Sequence, residues 1–260
     1  MTFTPKLLAL DVDGTLVDHD NKMTDAVREA VLAHQRRGAH VVVSTGRSVP
    51  GTSDAVSKLE LEDGLAVASN GAVLFRYDPV DVIHTVTFDA SEAVRRVLEH
   101  VPDAMVAVEE VGVGYRVNQP FPGGEVLGKV VVDDVESLIA EPVTRVIVRA
   151  PDHDKGEFAE LVSGLGLTGT NYYIGYTSWL DLAPLGVSKA SGLHWLCERL
   201  GVDRADVLAV GDGNNDYEMI EWAGRGVAMA PAPQRVRDVA DHVTGSVGED
   251  GLARELERWL

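Results

Sequence analysis

The sequence predicts an α/β protein: a doubly wound parallel sheet built from both ends of the chain, with a second, α+β unit inserted in the middle. Two observations predict it. Near both ends, short continuous apolar runs alternate with amphipathic helical stretches, as in strands covered on both faces. From about Val80 to Ala183 that rhythm breaks, and several strands follow one another with few helices between them. With 260 residues, 45% of them apolar, the chain can bury a large core.

The elements follow in order. Leu7 to Leu10 is a short buried strand. In "TDAVREAVLAHQRRG", Val27, Ala30, Val31 and His34 share one helical face, Thr24 can cap the start and Gly38 can end it. "AHVVVSTGR" is a second strand, and strand-helix-strand in this order argues a right-handed parallel unit. A helix near Thr52 to Leu61 follows, then "LAVASNGAVLF", whose Asn70-Gly71 pair signals a hairpin. The inserted unit, expected over residues 80–183, opens with a strand in "DVIHTVTF". A helix in "DASEAVRRVLEHV" follows, with a capping box from Asp89 to Glu92. "MVAVEEVGVGYRV", "KVVV" and "VTRVIVRA" give further strands, with a short helix near Val135 to Ile139. The helix "HDKGEFAELVSGLG" precedes the last two strands, in "TNYYIGYTSWLDLAP". Residues 1–79 and 184–260 form the core domain. After Pro184 the parallel rhythm returns with helix "SKASGLHWLCERLG", strand "DVLAV", helix "NDYEMIEWAG", strand "RGVAMA", helix "QRVRDVADHV" and a closing helix.

The formal charge of -18 repels nucleic acid and anionic membranes, so neither is expected as a partner. A small anionic ligand would need a local positive site. The single cysteine, Cys197, lies in a helical run and is expected to be a buried thiol; one cysteine allows no disulfide within the chain. "MTFTPKLLALDVDG" lacks a basic start followed by a long apolar region, and no stretch is apolar enough for long enough to span a bilayer. The expected compartment is the cytoplasm. The sequence leaves the oligomeric state open.

In open α/β sheets ligands bind beyond the carboxyl ends of the strands. Four polar clusters fall at such places: Asp11 and Asp13 after the first strand, Ser44-Thr45-Gly46-Arg47 after the second, Lys189 at a helix start, and "GDGNND", Gly211 to Asp216, after "DVLAV". Convergence of these strand ends would gather Asp11, Asp13, Asp212 and Asp216. Left alone, such a cluster repels itself and raises its pKa values. A hard divalent cation relieves it, and Mg2+ suits carboxylates together with a substrate phosphate. Lys189 adds a positive charge, while Thr45 and main-chain N–H groups can hold phosphate oxygens. A carboxylate at Asp11 can attack phosphorus, and one at Asp13 can protonate the leaving oxygen and later deprotonate water. Gly14 allows the tight path that turns both toward one ligand.

The ordered motifs "DVDGT", "STGR", "SNGA", "GVSK", "GDGNND" and "GVAMA" resemble the haloacid dehalogenase superfamily of phosphotransferases, specifically the Cof-like subgroup with a large α/β cap, subfamily IIB. The resemblance spans the chain and implies a Rossmann-like core with the cap inserted between "SNGA" and "GVSK". It implies Asp11 as nucleophile, Asp13 as acid/base, and Mg2+ held by the side chains of Asp11 and Asp212 and the main-chain carbonyl of Asp13. Thr45 becomes the phosphate-binding hydroxyl, Lys189 the charge clamp, and Asn215 and Asp216 supports for metal and lysine. One departure stands out: the family has glycine-asparagine-alanine after "AM", where this chain has Ala230-Pro231-Ala232-Pro233.

Weaker signals leave alternatives. Arg47 either contacts the phosphate or braces its loop; Asn70 is either a turn residue or a neighbour of the substrate. Tyr172, Tyr173 and Tyr176 near Trp179 make either cap core or a shelf for the substrate. The expected function is a Mg2+-dependent phosphatase of small phosphorylated metabolites, sugar phosphates foremost, acting through an aspartyl-phosphate. A phosphomutase on the same scaffold and an inactive ligand-binding protein are the alternatives.

Overall fold

The computed structural model describes residues 3–61, 64–175 and 178–260. The chain divides into two compact units, one of residues 1–47, 51–84 and 188–260, the other of residues 48–50 and 85–187. In chain order the first unit begins with β1 (Leu7–Leu10), α1 (Asp25–Arg36), β2 (His40–Ser44), α2 (Val49–Leu59), β3 (Gly64–Ala68), β4 (Val73–Tyr77) and β5 (Asp81–Thr85). The inserted stretch runs through α3 (Ser91–His100), β6 (Met105–Glu110), β7 (Gly114–Val117), β8 (Lys129–Val132), α4 (Val135–Leu138), β9 (Val146–Arg149), α5 (Lys155–Gly164), β10 (Thr170–Ile174) and β11 (Trp179–Pro184). The first unit resumes with α6 (Lys189–Leu200), β12 (Val207–Gly211), α7 (Tyr217–Trp222), β13 (Arg225–Ala228), α8 (Gln234–Val239), β14 (His242–Val243) and α9 (Gly251–Glu257).

The first unit's sheet has the order β14-β13-β12-β1-β2-β3-β4-β5. β1 pairs in parallel with β2 on one side and β12 on the other, Leu10 lying level with Val43 and Val210. The chain winds outward from β1 through β2 and β3, then resumes on the opposite side with β12 and β13. The carboxyl ends of β1 and β12 therefore flank the point where the winding reverses, which is where a crevice opens in such sheets. All four β1 side chains are fully buried, each such Leu stabilising by roughly 1.5–3 kcal/mol. Leu7 and Ala9 pack with Val42, Val67, Leu193, Leu196 and Cys197, so α6 covers this face of the sheet. Among the described residues no helix is long and apolar enough to cross a membrane.

The second unit holds a sheet of order β10-β11-β9-β6-β7-β8, antiparallel except for the β7–β8 pair. Alternation along its strands separates two faces. Val106, Val108, Val146, Val148, Leu180 and Leu182 turn to one side and pack with Val94 and Val97 of α3 and Phe158 of α5. Ala107, Tyr115 and Ile147 turn to the other, where Phe121, Val126 and Trp179 join them.

Local differences from the sequence expectation have physical causes. The helix expected from Thr52 starts at Val49. The Asp89–Glu92 capping box does not form: Ala90 is the N-cap, which leaves Glu92 at the second helical position instead of the third that a box requires. Asp89 instead accepts from the Ser91 N–H at 2.9 Å. The strand in "DVIHTVTF", expected in the inserted domain, is β5 and forms the edge of the first unit's sheet beside β4. The Asn70-Gly71 signal marks an antiparallel hairpin, β3 with β4, linked by a 3₁₀ turn.

Candidate active site

Asp11 follows β1 directly, its N–H bonded to the Val210 carbonyl at 3.0 Å. The same register that buries Leu7 to Leu10 thus sets Asp11 beside the end of β12. Gly14 turns the chain back at φ +80°, and a Cβ there would lie 2.2 Å from Asp212 Oδ2. Glycine is required both by the dihedral and by the approach of the Asp212 carboxylate. Asp216, fully buried, ends a 3₁₀ turn over Asn214–Asp216. Its Oδ2 accepts from the N–H groups of Asp212 at 2.9 Å and Gly213 at 2.8 Å, so it ties its own loop. Ser188 caps α6 through a reciprocal bond with Ser191, which fixes Lys189 as the first helical residue. The fully buried Lys189 donates from Nζ to Asp11 Oδ1 at 2.6 Å and to Asp216 Oδ1 at 2.5 Å.

Charge is out of balance here. Asp11, Asp212 and Asp216 present carboxylate oxygens within 4.8 Å of one another, against one lysine. Burial, then the charge of Asp216, push the Asp11 carboxyl well above the usual range despite Lys189. Burial and Asp216 push Asp212 up to about 7. Burial disfavours the Lys189 ammonium, but Asp11 and Asp216 outweigh it and raise its pKa. Asp216 spends both oxygens on Lys189 and main-chain N–H groups. The second Asp11 oxygen and the Asp212 carboxylate accept no side-chain hydrogen bond among the described residues. Hard oxygen donors that cannot all stay ionised unaided fit a divalent cation of the Mg2+ type.

Thr45 is buried after β2, and its Oγ1 accepts from the Arg47 N–H at 3.1 Å. The Thr45 hydroxyl proton has no acceptor among the described residues and can be donated. Arg47 grips Asp13 with two bonds, Nη2 to Oδ1 at 2.6 Å and Nε to Oδ2 at 3.0 Å. It also donates to Asn21 Oδ1 at 3.2 Å and the Gly51 carbonyl at 3.4 Å. Here Arg47 braces its loop through Asp13. Asn70 is both a left-handed turn residue (φ 53°) and a neighbour of the site: its Oδ1 accepts from Asn215 Nδ2 at 2.9 Å. A Cβ on Gly46 would meet Asn70 Oδ1 at 3.0 Å, so Gly46, Asn70 and Asn215 lie together.

Sequence reasoning missed Asn21 and Asp54. Asn21 Nδ2 donates to Asp54 Oδ2 at 2.9 Å while its oxygen receives Arg47, a chain that no local motif announces. In the departing segment, Ala232 is buried against Ile220, Ala228 and Val236.

The model of the haloacid dehalogenase-like hydrolase family matches residues 8–256. The chain belongs to this family. It is a phosphatase of this family. It is 29% identical to 5-amino-6-(5-phospho-D-ribitylamino)uracil phosphatase YitU of Bacillus subtilis, over 100% of this chain and 99% of that protein. It is also 29% identical to the phosphoglycolate phosphatase of Methanopyrus kandleri, over 98% and 97%. Among solved structures, BT1666 from Bacteroides thetaiotaomicron, a phosphatase of the superfamily, matches with a TM-score of 0.80 and 29% identity, over 98% of this chain and 95% of that one. The subclass IIB sugar phosphatase BT4131 shares the fold at a TM-score of 0.82 and 22% identity, over 98% of each chain.

Proposed function

We propose that this phosphatase hydrolyses phosphomonoesters of small cytoplasmic metabolites, sugar phosphates foremost, with Mg2+ and through an aspartyl-phosphate on Asp11. The observation that carries the proposal is Lys189, buried between Asp11 and Asp216 while one Asp11 oxygen and the Asp212 carboxylate stay open. A phosphate entering this crevice would meet net negative charge without a cation. Mg2+ would be held by the side chains of Asp11 and Asp212 and the carbonyl of Asp13; bound there, it offsets the carboxylate charge and draws charge from the phosphoryl oxygens.

The open Asp11 oxygen attacks phosphorus in line with the ester oxygen. The P–O ester bond breaks, and the proton carried by Asp13 passes to the leaving oxygen. Asp13 is then a carboxylate and takes a proton from water, whose oxygen attacks phosphorus and frees Asp11. Inorganic phosphate leaves. Thr45 donates its hydroxyl proton to a phosphoryl oxygen, and Lys189 holds Asp11 in line. Arg47 keeps Asp13 beside the leaving group, and its exchange of Asp13 for a phosphoryl oxygen would let the acid load its proton. Small phosphorylated compounds in the names of the relatives support this substrate class. The single buried thiol suits a reducing cytoplasm.

The test is inorganic phosphate release from a panel of phosphorylated metabolites, with Mg2+ and then with excess EDTA. Release from at least one small phosphomonoester, lost in EDTA and restored by Mg2+, is expected. Full turnover in EDTA, or no release from any member, overturns the proposal.

A further inference from the structure

The second unit's sheet ends in an edge that its own sequence fits. β8 is the last strand of that sheet and runs parallel to β7. The Lys129 N–H reaches the Val113 carbonyl at 3.0 Å, and the Asp133 N–H reaches the Val117 carbonyl at 2.8 Å. Main-chain groups alternate in direction along a strand. Lys129, Val131 and Asp133 therefore spend theirs on β7, while Val130 and Val132 aim theirs outward. Val130, Val131 and Val132 are 42%, 43% and 60% exposed, with Val113 at 51% and Leu127 at 41% nearby. An edge with consecutive exposed β-branched apolar residues is a template for another strand.

We propose that β8 pairs antiparallel with β8 of a second copy of this chain, about a two-fold axis through Val131. In that register Val131 faces Val131, Val130 faces Val132, and Lys129 faces Asp133. The outward groups of Val130 and Val132 exchange N–H···O=C bonds with their opposites, and the axis falls on the pair without such bonds, where side chains approach most closely. The charges select this occupant. Lysine on an edge normally deters pairing, yet here each Lys129 meets the Asp133 of the other copy on the same face as Val131, and the axis makes two such pairs. Parallel pairing in register would set lysine against lysine. Asp133 already pairs with Arg116 Nη1 at 3.6 Å and accepts the Asp134 N–H at 2.9 Å, yet its side chain stays 37% exposed to a second cation. β5, the exposed edge of the other sheet, has no such symmetry: pairing about Ile83 would set Asp81 against Thr85.

Sedimentation of the full chain over a concentration series tests this. The expected species is a reversible dimer of twice the 27.9 kDa chain mass. Lys129→Asp should weaken it by ~10-fold or more, since two attractive cross-strand pairs become repulsive. Lys129→Asp with Asp133→Lys should restore it to within about 3-fold. Val131→Lys, which sets two cations face to face, should leave a monomer. If Val131→Lys fails to fold by circular dichroism, the charge exchange at the two exposed positions decides alone. A chain monomeric up to about 200 μM, or a dimer that neither Lys129→Asp nor its double variant changes, overturns the proposal.

Discussion

Asp11 and Asp13 lie in one turn yet in opposite surroundings. Asp11 is buried against Lys189, while Asp13 is exposed and held by both arms of Arg47. The buried carboxylate keeps one oxygen to attack with; the exposed one can exchange protons with solvent. Asp11→Asn keeps the shape and removes the attacking charge, so turnover should fall at least ~1,000-fold. Asp13→Asn should be severe with alkyl phosphates and mild with aryl phosphates, whose leaving groups need no proton. Steady-state kinetics on one substrate of each kind measures both. Near-normal turnover in Asp11→Asn would contradict the covalent route.

At the scale of elements, α1 and α9 are joined by a titratable contact. His34 is buried on α1, and its Nε2 lies 2.9 Å from the Leu256 carbonyl of α9. The imidazole N–H donates there. Burial lowers the His34 pKa, the Leu256 carbonyl opposes that, and Arg37 lowers it further. The direction sets the sign. The folded protein disfavours the charged His34 imidazole, whereas the unfolded chain protonates it near its ordinary value of about 6.5. Below that value the unfolded state binds more protons, so stability falls as pH drops. His34→Gln retains a donor for Leu256 but cannot titrate. Between about pH 7.5 and pH 5.5, the wild type should lose more melting temperature than this variant. Equal losses in the two proteins would remove His34 as the cause.

At the scale of the molecule, the first unit holds every residue of the candidate site, and the second presents a polar and aromatic face of its own. There Arg145, buried, donates to Asp181 at 2.6 Å and to the Tyr115 hydroxyl at 2.9 Å, while Trp179 Nε1 donates to Asp181 at 3.0 Å. Trp179 also meets Phe121 edge to face at 6.4 Å. Tyr172 packs with the apolar core on the opposite face, which removes it from any shelf beside Trp179; Tyr176 lies outside the described residues. If the second unit selects the leaving group, Trp179→Leu should shift kcat/KM ratios among sugar phosphates by ~10-fold, with aryl phosphate turnover nearly unchanged. Unchanged ratios in a variant of normal melting temperature would leave Trp179 as packing alone.

The sequence by itself determined which chemical groups stand at each strand end. Leu7 to Leu10 had to be a buried strand, so Asp11 had to emerge at its end. Gly14 signalled a tight turn after the two aspartates, and the helical run that follows Val187 set Lys189 at its start. Those signals act over a few residues, and a linear pattern carries them. Only the tertiary structure decided the partners. It set Arg47 on both Asp13 and Asn21, Asn215 on Asn70, and Lys189 between Asp11 and Asp216, because each contact joins segments far apart in the chain and depends on strand register. It also gave β5 to the first unit's sheet and shifted the start of α3 past the expected capping box. A strand's pattern states that it wants a neighbour, and packing chooses which.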